Sequence, residues 1–373
     1  MSFAAALAAA SIGWLLFAYA GYPLVLVVLR ALSPRPVRRE DRFPPLSVII
    51  AVHDGERALA HKVEATLAQD YPAPVEVIVS SDGSTDATAE IARSFAPRGV
   101  VLVESPLRQG KEAAQARAIA RARGEILVFT DVTAELVPGA LRALARPLAD
   151  PGVGAVSSED EVDPEGGEGA YVRYEMSLRR LESEATTLIG VSGSCFAIRR
   201  ELASPWPTDL ASDFRVALES ARRGLRAVAE PAARVRFGTA RETGAEWQRK
   251  VRTVSRGIAV LLAHRELLRP RHGRAAFSVW GHKLARFTSP FALLLLLAAS
   301  LALAGQGALG RWLLAAQLLA YTVAVLALMR PEVARARLAR LAGFFLLVNA
   351  ATLAAWLRHL RGERTVVWQP TQR

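Results

Sequence analysis

The chain has 373 residues, 51% of them hydrophobic, one cysteine and a formal net charge of +12. That length holds one sizeable core together with membrane segments, and the lone Cys195 excludes an internal disulfide framework and fits a reducing compartment. The positive surplus is almost all arginine flanking apolar runs, which points to anionic lipid headgroups; with no zinc-type Cys/His spacing, aromatic RNA-binding motif or repeat, nucleic acid is not an expected partner.

Phe3 to Leu29 is apolar and uncharged for about 27 residues, enough to cross a roughly 30 Å hydrocarbon core. It lacks the basic start and small-residue cleavage site of a signal peptide, so residues 1–30 read as a permanent anchor. Arg30, Arg35, Arg38, Arg39 and Arg42 follow, and by the positive-inside rule they put the next domain in the cytoplasm of a multi-pass cell-membrane protein. A basic, proline-rich linker over 31–45 joins the two.

A short apolar run starts at Leu46 and ends in a polar turn, His53-Asp54-Gly55-Glu56. A second, Val75 to Val79, ends in Ser80-Ser81-Asp82-Gly83-Ser84-Thr85-Asp86, and a third, Ile126 to Phe129, ends in Thr130-Asp131-Val132-Thr133. Each reads as a strand buried on both faces. Helical patterns separate them, at Arg57 to Gln69, Ala87 to Phe95 and Lys111 to Arg123. Alternation of this kind predicts an α/β domain with a mostly parallel sheet, and ligands at the carboxyl ends of its strands. Asp82 and Asp86 flank a turn into a helix, where such side chains either cap the helix or hold a ribose and base. Asp131 follows a buried strand, where a carboxylate wants a cation or hydrogen-bond partners; Mg²⁺ or Mn²⁺ bridging a diphosphate would serve. Gly110-Lys111 opens a helix whose amides and ammonium can face phosphate, although a solvated lysine is an equally good reading of Lys111 alone.

Further on, Val137 to Leu148 is helical and Val153 to Val156 a strand, followed by an acidic loop from Glu159 to Gly169. Tyr171 to Thr187 is an amphipathic helix with Tyr171 facing the core. Gly190 to Gly193 is a glycine-rich loop that lets backbone approach a ligand. Ser212-Asp213-Phe214 opens a helix ending at Gly224. Arg249, Arg252 and Arg256, three and four residues apart, share one helix face suited to a diphosphate or to lipid headgroups. Residues 241–286 read as amphipathic interfacial helices. Residues 287–360 hold about three further spans, at Phe287 to Ala304, Trp312 to Met329 and Leu341 to Leu357. A basic tail, 361–373, ends the chain.

The order Ser-Val-Ile-Ile, Ser-Asp-Gly-Ser-Thr-Asp, Gly-Lys and Phe-Thr-Asp resembles the nucleotide-sugar half of membrane-anchored family 2 glycosyltransferases with the GT-A fold. The resemblance continues through Tyr-x-x-Tyr-Glu, which marks Tyr174 and Glu175, and through the glycine-rich loop ending in Arg-Arg-Glu. It implies an inverting transfer from a UDP- or GDP-sugar to a lipid-linked or glycan acceptor in cell-envelope polysaccharide or glycolipid synthesis. Asp213, the second residue of the family's acidic pair before Phe, would be the general base. Asp54, Glu56, Asp82, Asp86 and Lys111 would hold the nucleotide-sugar, with Arg249, Arg252 and Arg256 on the departing nucleotide. Asp131 and Thr133 would hold Mg²⁺ or Mn²⁺.

Three departures stand out. Ser212 replaces the first acid of the pair, Thr133 replaces the second aspartate of Asp-x-Asp, and Thr253 stands where processive synthases have Trp. The last counts against a processive polysaccharide synthase. The hydroxyl of Thr133 is the best support for a non-enzymatic alternative, a nucleotide-binding scaffold subunit that keeps the fold without turnover.

Overall fold

In the computed structural model, residues 2–161, 169–236 and 243–363 are described. Most of the acidic loop and all of the tail beyond Glu363 lie outside these residues, as does the side chain of Tyr171. Residues 26–161, 169–236 and 262–278 form one compact unit, and residues 2–25, 243–261 and 279–363 form the other.

The first unit is an eight-stranded sheet. Its strands are β1 (Leu46–Val52), β2 (Val75–Asp82), β3 (Val101–Ser105), β4 (Ile126–Asp131), β5 (Glu135–Leu136), β6 (Val153–Glu161), β7 (Cys195–Arg199) and β8 (Arg226–Arg236), in the order β3-β2-β1-β4-β7-β6-β8-β5. β3, β2, β1 and β4 run parallel, and so do β6 and β8, while β7 and β5 run antiparallel to their neighbours. This is the mostly parallel α/β GT-A arrangement that the alternating pattern and the resemblance imply.

Strand side chains alternate between two cores. Val48, Ile50, Val52, Val77, Val79 and Val128 pack on one face, and Ile49, Ile78, Leu127 and Phe129 on the other. Burial of each such side chain contributes roughly 1.5–3 kcal/mol, which is why Val48 to Val52 of β1 and Ile126 to Phe129 of β4 are continuously apolar. On the second face Phe129 stacks between Phe196 and Trp206, both at 4.9 Å.

The parallel strands are in register, and this gathers their polar ends. Ala51 pairs with Asp131 and Val52 with Ser81, so Asp131, Asp82 and the turn after Val52 emerge at one edge. β7 runs the other way, with Cys195 opposite Thr130, and so delivers the glycine-rich loop to the same edge.

Three strands carry no clear signal in the sequence. β3 is an edge strand, half open to solvent. β5 is two residues long. β8 interleaves arginines and Pro231 with its apolar residues, and its pairing with β6 shifts register twice. Edges and irregular pairings tolerate prolines and charges that a central strand cannot.

Among the described residues, four helices are long and apolar enough to cross a membrane: Phe3–Leu32, Arg274–Ala304, Ala308–Met329 and Arg337–Leu360. The second begins at Arg274, so the basic segment before Phe287 is already part of it. Within the helical unit, Ala8 packs on Leu296 and Ala299. A Cβ on Gly343 would lie 3.3 Å from the Ala324 carbonyl, the close small-residue approach that membrane helices use. His282, within the 241–286 stretch read from the sequence as interfacial, is buried with its ring 6.4 Å from that of Tyr22.

Candidate active site at the carboxyl edge of the sheet

The loops after β1 and β2 are tied together by three of the acidic residues singled out there, Asp54, Glu56 and Asp86. The backbone amide of Asp54 donates to Ser84 Oγ (3.1 Å), and its Oδ1 accepts from the Thr85 amide (2.8 Å). Asp54 has φ of 48°, the only non-glycine residue with positive φ among those described, and these bonds hold it there. Glu56 and Asp86 cap each other's helices: the Glu56 amide donates to Asp86 Oδ2 (3.0 Å), and the Ala87 amide donates to Glu56 Oε2 (3.2 Å). Asp86 also accepts from the Thr88 amide and hydroxyl. Burial opposes its charge, but the Thr88 hydroxyl and the surrounding amides outweigh it and hold its carboxyl below the usual range. For Asp86 the capping reading is therefore the one realised in this structure.

Asp82 is 3% exposed. Its carboxylate accepts from the Gln109 amide (3.1 Å), the Gly110 amide (2.6 Å) and Arg117 Nη2 (2.7 Å). It thus fixes the loop that starts the Lys111–Ile119 helix, instead of presenting open oxygens to a nucleotide. Gly83 makes this possible, because its φ is +65° and a Cβ there would lie 2.6 Å from the Arg108 amide nitrogen. Arg117 was not legible as a site residue, since nothing in the sequence ties it to Asp82.

Three more of the predicted residues, Lys111, Asp131 and Asp213, meet at the end of β4. Lys111 Nζ donates to Asp131 Oδ1 (2.5 Å) and to the Gly193 carbonyl (2.9 Å). Burial opposes the Lys111 charge, but the Asp131 carboxylate, with Asp213 and Glu112 further off, outweighs it and holds the ammonium above the ordinary lysine range. Asp213 Oδ1 accepts the Phe214 amide (2.8 Å), and Oδ2 lies 3.1 Å from where a Gly193 Cβ would be. Asp131, Lys111, Gly193 and Asp213 are thereby one cluster. Thr133 is exposed, two residues beyond Asp131. Behind Ser212, where an acid was expected, the buried Glu112 carboxylate faces the Ser212 amide at 3.4 Å.

Two supporting groups escaped the sequence reading. Asp160 accepts from the Ser192 hydroxyl (2.7 Å) and the Ser194 hydroxyl (2.5 Å), pinning the loop that carries Gly193. Lys62, 2% exposed, donates to Thr130 Oγ1 (2.8 Å) and to the Ala134 carbonyl, and so braces the Asp131–Thr133 turn from beneath. Burial pulls its ammonium down to about 8 despite the nearby acids Cys195, Asp131 and Glu135. The signal for Lys62 was a lysine on the apolar face of its helix, beside Leu59, Val63 and Thr66.

Arg249, Arg252 and Arg256 lie on the Thr243–Ala263 helix of the other unit. Burial, together with Arg256 and Arg249, holds Arg252 below the usual arginine range. Tyr174 and Glu175 lie on the Gly169–Ala185 helix, half-buried.

Among the described residues, no group of three or more His, Cys, Asp and Glu side chains could hold a metal ion. Asp131 alone offers one anionic ligand, with the Thr133 hydroxyl as a neutral second. Such a donor set fits a hard cation that takes its remaining oxygens from a bound diphosphate and water, as Mg²⁺ commonly does.

A family model, Glycosyl transferase family 2, matches residues 47–205. An N-acetylglucosaminyltransferase of Azorhizobium caulinodans is 29% identical over 120 residues, 31% of this chain and 30% of the relative. The glycosyltransferase AglE of Haloferax volcanii is 29% identical over 179 residues, 46% of this chain and 58% of the relative. This chain therefore spans from under a third to over half the length of these two relatives. Among solved structures, a Pyrobaculum calidifontis mannosyltransferase in complex with GDP-Man and Mn²⁺ is 27% identical with a TM-score of 0.74, covering 96% of this chain and 100% of that one.

Proposed function

We propose that this chain, whose residues 47–205 match the glycosyl transferase family 2 model, is an inverting enzyme that moves a sugar from a UDP- or GDP-sugar to a lipid-linked or glycan acceptor at the membrane. The observation that carries this reading is the convergence of Asp131, Lys111 and Asp213 around Gly193 at the carboxyl edge of the sheet. Asp213 takes the proton of the acceptor hydroxyl as that oxygen displaces the nucleotide diphosphate from the opposite face of the sugar. One carboxylate suffices for a single displacement, whereas a retaining double displacement wants a second one as nucleophile.

Asp131 and Thr133 would hold Mg²⁺ or Mn²⁺, which as a Lewis acid offsets charge on the leaving diphosphate. The Lys111 ammonium supplies fixed positive charge to the same oxygens. Asp54, Glu56, Asp82 and Asp86 shape the nucleotide pocket through their loops, and Arg249, Arg252 and Arg256 serve the leaving nucleotide or anionic headgroups. The Pyrobaculum relative, which holds GDP-Man, supports a nucleoside diphosphate donor. The four apolar helices and the arginines after the first support a multi-pass protein of the cell membrane with this domain on the cytoplasmic side.

The test is transfer and hydrolysis of a panel of nucleotide-sugars by the full chain in lipid, with Mn²⁺ or EDTA, beside Asp213→Asn. Metal-dependent turnover of one donor, lost in the variant while nucleotide still binds, is the expected result. Nucleotide binding without turnover of any donor would instead favour the scaffold reading that Thr133 invites. Turnover that survives Asp213→Asn would refute the base assignment.

A further inference from the structure

Asp131 is not a vacant carboxylate. The Lys111 ammonium lies 2.5 Å from its Oδ1 and is anchored a second time by the Gly193 carbonyl at 2.9 Å. Lys111 is itself held in place, because its helix starts from the Gln109-Gly110 amides that Asp82 grips. A second ammonium, that of Lys62, lies under the same turn on Thr130 Oγ1 and the Ala134 carbonyl. The next ligand position, Thr133, is an uncharged hydroxyl. Asp213 and Glu112 lie further from Lys111, and Glu135 lies near Lys62. Among the described residues, however, the only carboxylate oxygen in direct contact with the Lys111 ammonium is that of Asp131, so a free dication would have to displace that ion pair to reach it.

We propose that the Lys111 ammonium and a divalent cation compete for Asp131, so that the cation joins the site only together with a nucleoside diphosphate. This rests on the reading of Asp131 as the cation ligand. A diphosphate adds two or more negative charges at the strand ends, enough to keep both cations. Lys111 then transfers its hydrogen bonds to phosphate oxygen and leaves Asp131 to the metal. Binding of donor and metal is therefore coupled through one lysine, and metal alone binds weakly.

The experiment follows Mn²⁺ binding to the full chain by electron paramagnetic resonance, first without nucleotide and then with UDP or GDP. Wild type and Lys111→Arg should bind Mn²⁺ weakly until nucleotide is added. Lys111→Met should bind it about ten-fold more tightly without nucleotide, the size of an ordinary coupling between two sites. Asp131→Asn should abolish binding in both backgrounds. Lys111→Gln and a thermal melt guard against a folding defect confined to the methionine variant. If Lys111→Met and Lys111→Gln bind free Mn²⁺ no more tightly than wild type, whether all bind well or none does, the competition is refuted. No sugar is transferred in this measurement, so a protein inactive with every donor can still pass it, and an active one can fail.

Discussion

Lys62 is where burial and function meet most directly, and Lys62→Met tests both. The side chain is 2% exposed, and its ammonium falls from the ordinary 10.5 to about 8 because burial disfavours the charge. That drop corresponds to roughly 3 kcal/mol against the charged form. Its hydrogen bonds to Thr130 Oγ1 and the Ala134 carbonyl return about 1.5–3 kcal/mol each. At neutral pH the bonds offset the burial cost and leave a net of about 0–3 kcal/mol, so the methionine variant should unfold within about 3 kcal/mol of wild type. The pH dependence separates them. The unfolded chain keeps this proton up to 10.5 and the folded chain releases it at about 8. Between those values the unfolded state binds more protons, so wild-type stability rises with pH. Methionine has no proton to release. Melting curves of both proteins in one detergent, between about pH 7 and 10, should therefore show a gap that widens in favour of wild type, by roughly 3 kcal/mol. Donor turnover should fall as well, since the turn carrying Asp131 loses its brace. A constant gap across that range would refute the view of Lys62 as a buried charged lysine.

Two further perturbations probe the site from either side. In Gly193→Ala the new Cβ would meet Asp213 Oδ2 at 3.1 Å and push that carboxylate by a few tenths of an ångström. The expected result is about a ten-fold fall in kcat with an unchanged melting temperature, and an unaltered kcat would show that Asp213 does not need this position. In Asp82→Asn, Arg117 loses its carboxylate partner at 2.7 Å and the Gln109 and Gly110 amides keep a weaker acceptor. Denaturant titration should show a loss of about 2 kcal/mol, partly restored by Arg117→Leu, because the part-buried Arg117 keeps only Gln109 Oε1 and a neutral amide as partners.

The sequence alone determined the frame of the molecule. The runs at Leu46, Val75 and Ile126 read as strands buried on both faces, because series this rich in β-branched and large apolar residues leave little solvent side to offer. The alternating helices made them parallel, and parallel strands in register end together, so Asp82, Asp131 and the turn at Asp54 could be assigned to one edge. The four apolar stretches were equally plain, since a membrane asks only for length and apolarity. Tertiary structure decided what each carboxylate does at that edge. Asp82 and Asp86 are engaged by amides and by Arg117, and Asp131 is occupied by Lys111. Glu112 stands at the Ser212 amide, and Lys62 and Asp160 brace the loops from positions far away in sequence. A periodic pattern reports which face a residue takes, because that depends on its neighbours along the chain. Hydrogen-bond and ion-pair partners some 20 to 100 residues apart depend on how strands and loops are brought together in space, and no local signal carries that information.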